Sequence, residues 1–175
     1  AVGASGDWIE TDRLHTAYGS GMSEWCANCH WERLAAGNQH CSGAQATLTP
    51  AISAAYNRYV KSGDQTGSKA TAYLALVPFE TGATDRAALD PHSTVGPDSG
   101  VAKVMCLTCH RAHASALWSA GRWDFQTTFL ADSHPKVGDG GAGENDWFNS
   151  YYGRNMAATF GTYQRQLCSK CHAKD

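Results

Sequence analysis

The chain has no run of about eighteen apolar residues, so it encodes no membrane-spanning helix. Mean hydropathy is −0.41, in keeping with a polar exterior. Lysine is scarce: six are scattered along 175 residues, and the net charge is −2. That balance argues against a nucleic-acid partner and a basic membrane-docking patch. Methionine is scarcer still, with Met22, Met105 and Met156 the whole supply. No signal peptide is visible, and the small-residue start Ala1-Val2-Gly3-Ala4 reads as what cleavage leaves behind. A mature exported protein is therefore expected, built as a single domain over residues 1–175.

Cysteine is plentiful for this length, and six of the seven fall in one pattern. The sequence CxxCH occurs at Cys26–His30, Cys106–His110 and Cys168–His172. Each copy supplies what one covalent haem needs. Two thiols add across the porphyrin vinyl groups, and the histidine that follows becomes the proximal iron ligand. A bare CxxC would also suit a redox pair or half a zinc site. A tetrahedral zinc site, however, pairs two CxxC units and leaves the third unused, and all three copies carry the histidine. The pattern thus predicts three haem c groups per chain, attached at Cys26, Cys29, Cys106, Cys109, Cys168 and Cys171. Attachment of this kind takes place outside the cytoplasm, in an oxidising compartment. Arg33, Arg111, Arg122, Arg154 and Arg165 are available to offset the propionates. Cys41 is left over, free of any partner within the chain.

Around the motifs the pattern is mainly α with extensive irregular loops and little β. Residues 1–23 read as a loose polar arm. A short helix is expected over Trp25–Ala36. The best helix signal outside the motifs is Pro50–Lys61, with Thr49 as N-cap, Pro50 at the first helical position and Gly63 beyond the end. Ala72–Phe79 is either extended or a tight buried turn, and residues 81–100 read as loop. The second motif is expected within a helix from Val101 to about Ser119. An irregular stretch over 122–150 holds the Gly-rich segment 138–143. Asp139, Glu144 and Asp146 there are weak candidates for a hard cation, since the spacing is not that of an EF-hand. A last helix from Arg154, with Met156, Phe160, Tyr163 and Leu167 on one stripe, carries the third motif. The motifs are spaced by 80 and then 62 residues, so they are not a tandem repeat.

The sixth iron position separates electron transfer from small-molecule chemistry. His30, His110 and His172 are the proximal ligands. Five histidines remain for three vacancies: His15, His40, His92, His113 and His134. His113, three residues after His110, is expected to ligate a neighbouring haem rather than its own. His40, in a Gly-Asn-Gln-His-Cys turn, is placed to fold over a nearby haem, and His15 completes the distal set. His92 and His134 read as surface histidines. Bis-histidine ligation throughout makes a reductase with one open haem the weakest functional reading.

Certain stretches carry a resemblance beyond the motifs. CLTCHRAHAS (106–115) followed by Arg122-Trp123-Asp124, the terminal CSKCHAKD, YNRYVKSGD (56–64) and LVPFE (76–80) resemble exported multihaem cytochromes of metal-reducing microbes. Within that group the chain is similar to the small tetrahaem subunits of extracellular cytochrome filaments, with three haem sites in place of four. The resemblance implies stacked bis-histidine haems and a homopolymer built through head-to-tail contacts. It also implies long-range electron transfer to redox partner proteins or extracellular acceptors, at an extracellular or cell-surface location. One distal histidine then comes from the adjacent subunit, and His15 is the choice for that trans ligand. A monomeric periplasmic shuttle is the alternative.

Overall fold

The computed structural model describes residues 1–7, 10–34, 43–113 and 115–172. Short helices are joined by long irregular stretches, and a single two-stranded sheet is present among the described residues. This is the fold class the sequence predicts.

The first difference lies at the N-terminus, where a loose arm was expected. Strand β1 (Val2–Ala4) pairs antiparallel with β2 (Ala17–Ser20), and Ala4, Ala17 and Tyr18 are buried. Isolated bridges carry the pairing onward, from Tyr18 to Glu80 and from Glu80 to Lys103. The arm lacks helical periodicity because its backbone groups are satisfied by strand partners distant in sequence. The N–H of Thr81 donates to the carbonyl of Tyr18 at 2.9 Å, and Gly82 donates to Gly19 at 2.8 Å.

Helix α1 (Met22–His30) starts at Gly21, whose φ of +84° turns the chain out of β2. It stops at His30 and passes into a 3₁₀ turn over Trp31–Arg33, shorter than the expected Trp25–Ala36 span. Helix α2 (Pro50–Arg58) begins as expected, with Thr49 Oγ1 accepting the N–H of Ile52 at 3.3 Å and Pro50 at the first position. It ends before Lys61 because Val60 donates to Asp64 (3.0 Å), closing a turn through Gly63 at φ +75°. The ambiguous Ala72–Phe79 segment is a buried turn wrapped round one side chain of α2. Tyr56 Oη donates to the carbonyl of Val77 (2.8 Å) and accepts the N–H of Leu74 (3.2 Å).

Two further helices differ from expectation. The second motif occupies a single turn, α3 (Cys106–Cys109), not a helix from Val101 to Ser119. His110 is already extended and pairs with Gly121 in an antiparallel bridge. His110 and His113 therefore do not share a helix face. The close return of the chain needs Gly121, since a Cβ there would lie 2.5 Å from the carbonyl of Trp123. After α4 (Glu144–Ser150), the expected last helix is split into α5 (Met156–Phe160) and α6 (Ser169–His172). Gly161, at φ +90°, stops the first piece. Met156, Phe160 and Leu167 are buried, but Tyr163 leaves the stripe and is 77% exposed.

Two apolar clusters hold these pieces together. The larger gathers Tyr56, Leu76, Trp123, Leu130, Tyr151 and Leu167 beneath α2 and α6. The smaller holds Tyr18, Met105 and Leu107, with Met22 against it. No helix among the described residues is long and apolar enough to cross a membrane.

Candidate haem-attachment sites

The three motifs form a row. On α1, Cys26 is half-buried and Cys29 exposed. Ser23, on the buried face of α1, accepts the N–H of Cys106 on its Oγ at 2.9 Å and so locks α1 to α3. The Cys26 thiol lies against Cys106, and burial pushes it above its ordinary pKa. Cys109, one turn on from Cys106, lies near Cys168 and Cys171. Burial pushes the Cys109 thiol up to about 12 and the Cys171 thiol up to about 11. Such thiols stay protonated at neutral pH, the opposite of what a disulfide-exchanging pair needs. Among the described residues no three or more His, Cys, Asp or Glu side chains form a metal-holding group of their own. Cys26, Cys106, Cys109, Cys168 and Cys171 are thus brought together at three short helical turns.

The proximal histidines end or follow those helices. His30 closes α1, His172 closes α6, and His110 follows α3 directly. His110 Nδ1 pairs with the backbone carbonyl of Ser119 at 2.8 Å. A nitrogen held this way fixes the ring and directs Nε2 outward for a metal, the outer-shell support an iron ligand uses. The supporting turn includes Ser119 at φ +56° and Ala120 at +52°, left-handed positions that cost a non-glycine residue about 1 kcal/mol or more each. A backbone carbonyl nine residues along has no signature in the sequence.

His113, itself at φ +57°, turns its ring toward His30, with ring centres 6.2 Å apart and planes at 45°. A metal–imidazole bond is about 2 Å long. Each ring nitrogen lies about 1.1 Å from its ring centre for bonds near 1.3 Å. Two imidazoles facing each other through one metal therefore have centres about 6.3 Å apart. The His30–His113 separation is close to that value.

His15 is buried, at 2% exposure, and stacks on Tyr73 with ring centres 3.7 Å apart. Its Nδ1 is buried without a hydrogen-bond partner, and burial lowers its pKa, favouring the neutral, ligating form. His40 lies outside the described residues, as does Cys41. His92 is exposed. His134 is exposed and pairs through Nδ1 with Asp139 Oδ2 at 2.5 Å. The acidic segment proposed for a cation is spent on its own chain. Asp139 also accepts the N–H of Lys136 (2.7 Å), and Asp146 accepts the N–H of Gly143 (2.9 Å).

Of the five arginines, Arg122 is the most deeply set. It donates to the carbonyls of Leu107 (2.5 Å) and Ala75 (3.1 Å) and to Tyr152 Oη (2.5 Å), with Glu10 at 3.6 Å. Arg111 lies over the ring of Tyr152, 4.6 Å from its centre, and Arg154 pairs with Asp12 at 2.5 Å. Two buried charges beside the motifs carried no pattern to find them by. Glu80 sits at the N-terminal end of α1, and Lys170 lies inside the third motif, where it donates to the carbonyl of Tyr59 at 2.7 Å.

A row of attachment motifs on short helices in a largely irregular chain defines a small multihaem cytochrome c fold, and comparison with known proteins agrees. No protein-family profile matches the chain. The chain is homologous to the C-type cytochrome OmcS of Geobacter sulfurreducens, with 41% identity over an alignment of 186 positions. That alignment takes in 94% of this chain and 43% of the relative. Two solved structures of the same relative superimpose on it. The OmcS nanowires determined by cryo-EM give a TM-score of 0.78 at 40% identity, over 98% of this chain and 46% of that one. The outer membrane cytochrome S filament gives 0.80 at 38%, over 99% and 48%. The chain spans less than half the length of the relatives it matches.

Proposed function

We propose that this chain transfers electrons through three covalently bound haem c groups, each held between two imidazoles, and that it polymerises head to tail into an extracellular conductive filament. The observation that supports the proposal is the clustering of the CxxCH cysteines, with the His113 ring 6.2 Å from that of His30. When bound, the haems supply one-electron chemistry, and the chain's own residues do the rest. Cys26, Cys29, Cys106, Cys109, Cys168 and Cys171 hold the groups, and His30, His110 and His172 are the proximal ligands. His113 serves the first motif, and His40 and His15 are the remaining distal ligands. Closing the sixth position at every site leaves no place for a substrate, so the chain is a conduit and not an enzyme.

Similarity to a protein solved as a filament supports polymerisation. A head-to-tail contact that does not close on itself generates a helical polymer. A histidine ligating across the joint would fix the spacing between successive subunits; the resemblance gives that role to His15, which would have to leave its buried stack on Tyr73 to take it. Mass spectrometry of the intact chain should show three added haems, and electron microscopy of the native protein should show fibres. His15→Ala should give short particles and one five-coordinate haem by absorption spectroscopy. Fibres of normal length from that variant would remove His15 from the joint. Uniform small particles from the unaltered protein at every concentration would replace the conduit with the periplasmic shuttle.

A further inference from the structure

We propose that Glu80 is the group that takes up a proton when the first motif receives an electron, tying the potential of that site to pH. The inference rests on the haem reading above. Glu80 is 1% exposed and lies where three segments meet, bridged through its backbone to Tyr18 and to Lys103. Oε1 accepts the N–H of Met22 at 2.6 Å, at the start of the helix that carries Cys26, Cys29 and His30. Oε2 is buried with no hydrogen-bond partner. Oε2 lacks a partner in either protonation state, and leaving it so costs more for the ionised carboxylate, whose charge it shares, than for the neutral acid.

The surrounding charges support the same conclusion. Burial raises the pKa of Glu80, and Glu24 from α1 raises it further. The N–H groups of Met22 and Gly21 and the Lys103 ammonium oppose that rise. Glu24 is exposed and already accepts the N–H of Ala44 at 2.6 Å, so it is tied to its own loop. The charge of Glu80 is felt at the Cys26 sulfur, where the first group is anchored. An added electron at this site places one more negative charge near a carboxylate that is already costly to ionise. The balance is one electron in from the redox partner and one proton in from bulk water to Oε2, with no net change of charge.

The sign follows directly. Below both pKa values Glu80 is protonated before and after reduction, and the potential is flat. Above both it is ionised in each state, and the potential is flat again but lower. Between them one proton accompanies one electron, so the potential falls by about 59 mV per pH unit, the one-electron equivalent of a tenfold change. Spectroelectrochemical titration of the haem-loaded full chain across pH should show that slope in one of its components. Glu80→Gln keeps an oxygen for the Met22 N–H but cannot ionise, so its slope should vanish and its potential at high pH should rise. Reduction-induced infrared difference spectra of ¹³C-glutamate-labelled protein give a second reading that needs no variant. A labelled carboxylic-acid band should appear on reduction and exchange with deuterium. A slope that survives in Glu80→Gln, or a reduced protein with no labelled acid band, overturns the assignment and moves the proton elsewhere, such as to the propionates. Absence of haem from the purified chain would instead overturn the reading beneath it, and mass spectrometry tells the two failures apart.

Discussion

The first and third attachment motifs share five residue positions and almost nothing else. The first rides on the nine-residue helix α1, with Cys29 and His30 exposed and only the small Tyr18–Met105–Leu107 cluster behind it. The third is a four-residue turn set against the main core, with Leu167, Ser169 and Lys170 buried, while Cys168 and His172 are exposed as Cys29 and His30 are. Nearby charge is of opposite sign: the Glu80 carboxyl beside α1, and the Lys170 ammonium, 4.5 Å from the centre of the Tyr56 ring, within α6. A cation would favour a reduced iron held there, and an anion would oppose it. The same motif is thereby given two settings, with the higher potential expected at the third. Burial lowers the pKa of Lys170 to about 8, so its charge is present at neutral pH but held at a cost.

The comparison can be broken most severely by removing one site at a time. Cys168→Ala with Cys171→Ala should abolish cooperative thermal unfolding followed by circular dichroism, because the haem proposed there would pack against the main core, which includes Leu167 and Cys171. Cys26→Ala with Cys29→Ala should lose one haem by mass yet keep a cooperative transition. Equal damage from the two pairs would show that the settings do not differ. Trp123→Ala should cost about 3–5 kcal/mol in denaturant unfolding, since it empties the centre of the large cluster and strands Gln166, to which Trp123 Nε1 donates at 2.5 Å. Met105→Ala, in the smaller cluster, should fall nearer about 2 kcal/mol. At the fine end, Thr49→Ala removes the cap of α2, which packs on α6, and should cost about 1 kcal/mol. Lys136→Ala removes an exposed pair with Asp132 and should change stability by less than about 0.5 kcal/mol.

What the sequence disclosed divides along the same line. The three CxxCH motifs stand out in the sequence because covalent haem attachment demands fixed residues at fixed spacing. The start of α2 was legible because Thr49 and Pro50 act locally. The extent of the other helices was not. His110 looked like the middle of a helix until its pairing with Gly121, eleven residues on, became visible. Tyr163 matched an apolar stripe that Gly161 interrupts. The N-terminal arm reads as loose because its two strands are only three and four residues long and the further partner of Tyr18, Glu80, lies far along the chain. His113 was expected to serve a neighbouring group, and its ring does face His30, by way of a left-handed turn and not a shared helix face. Glu80 and Lys170 went unnoticed for a plain reason: one charged residue has no pattern until its burial is known.

The second motif adjoins both of the others, Cys106 lying against Cys26 and Cys109 near Cys168 and Cys171. Were haems held at all three, the middle one would be the relay through which the outer two exchange electrons.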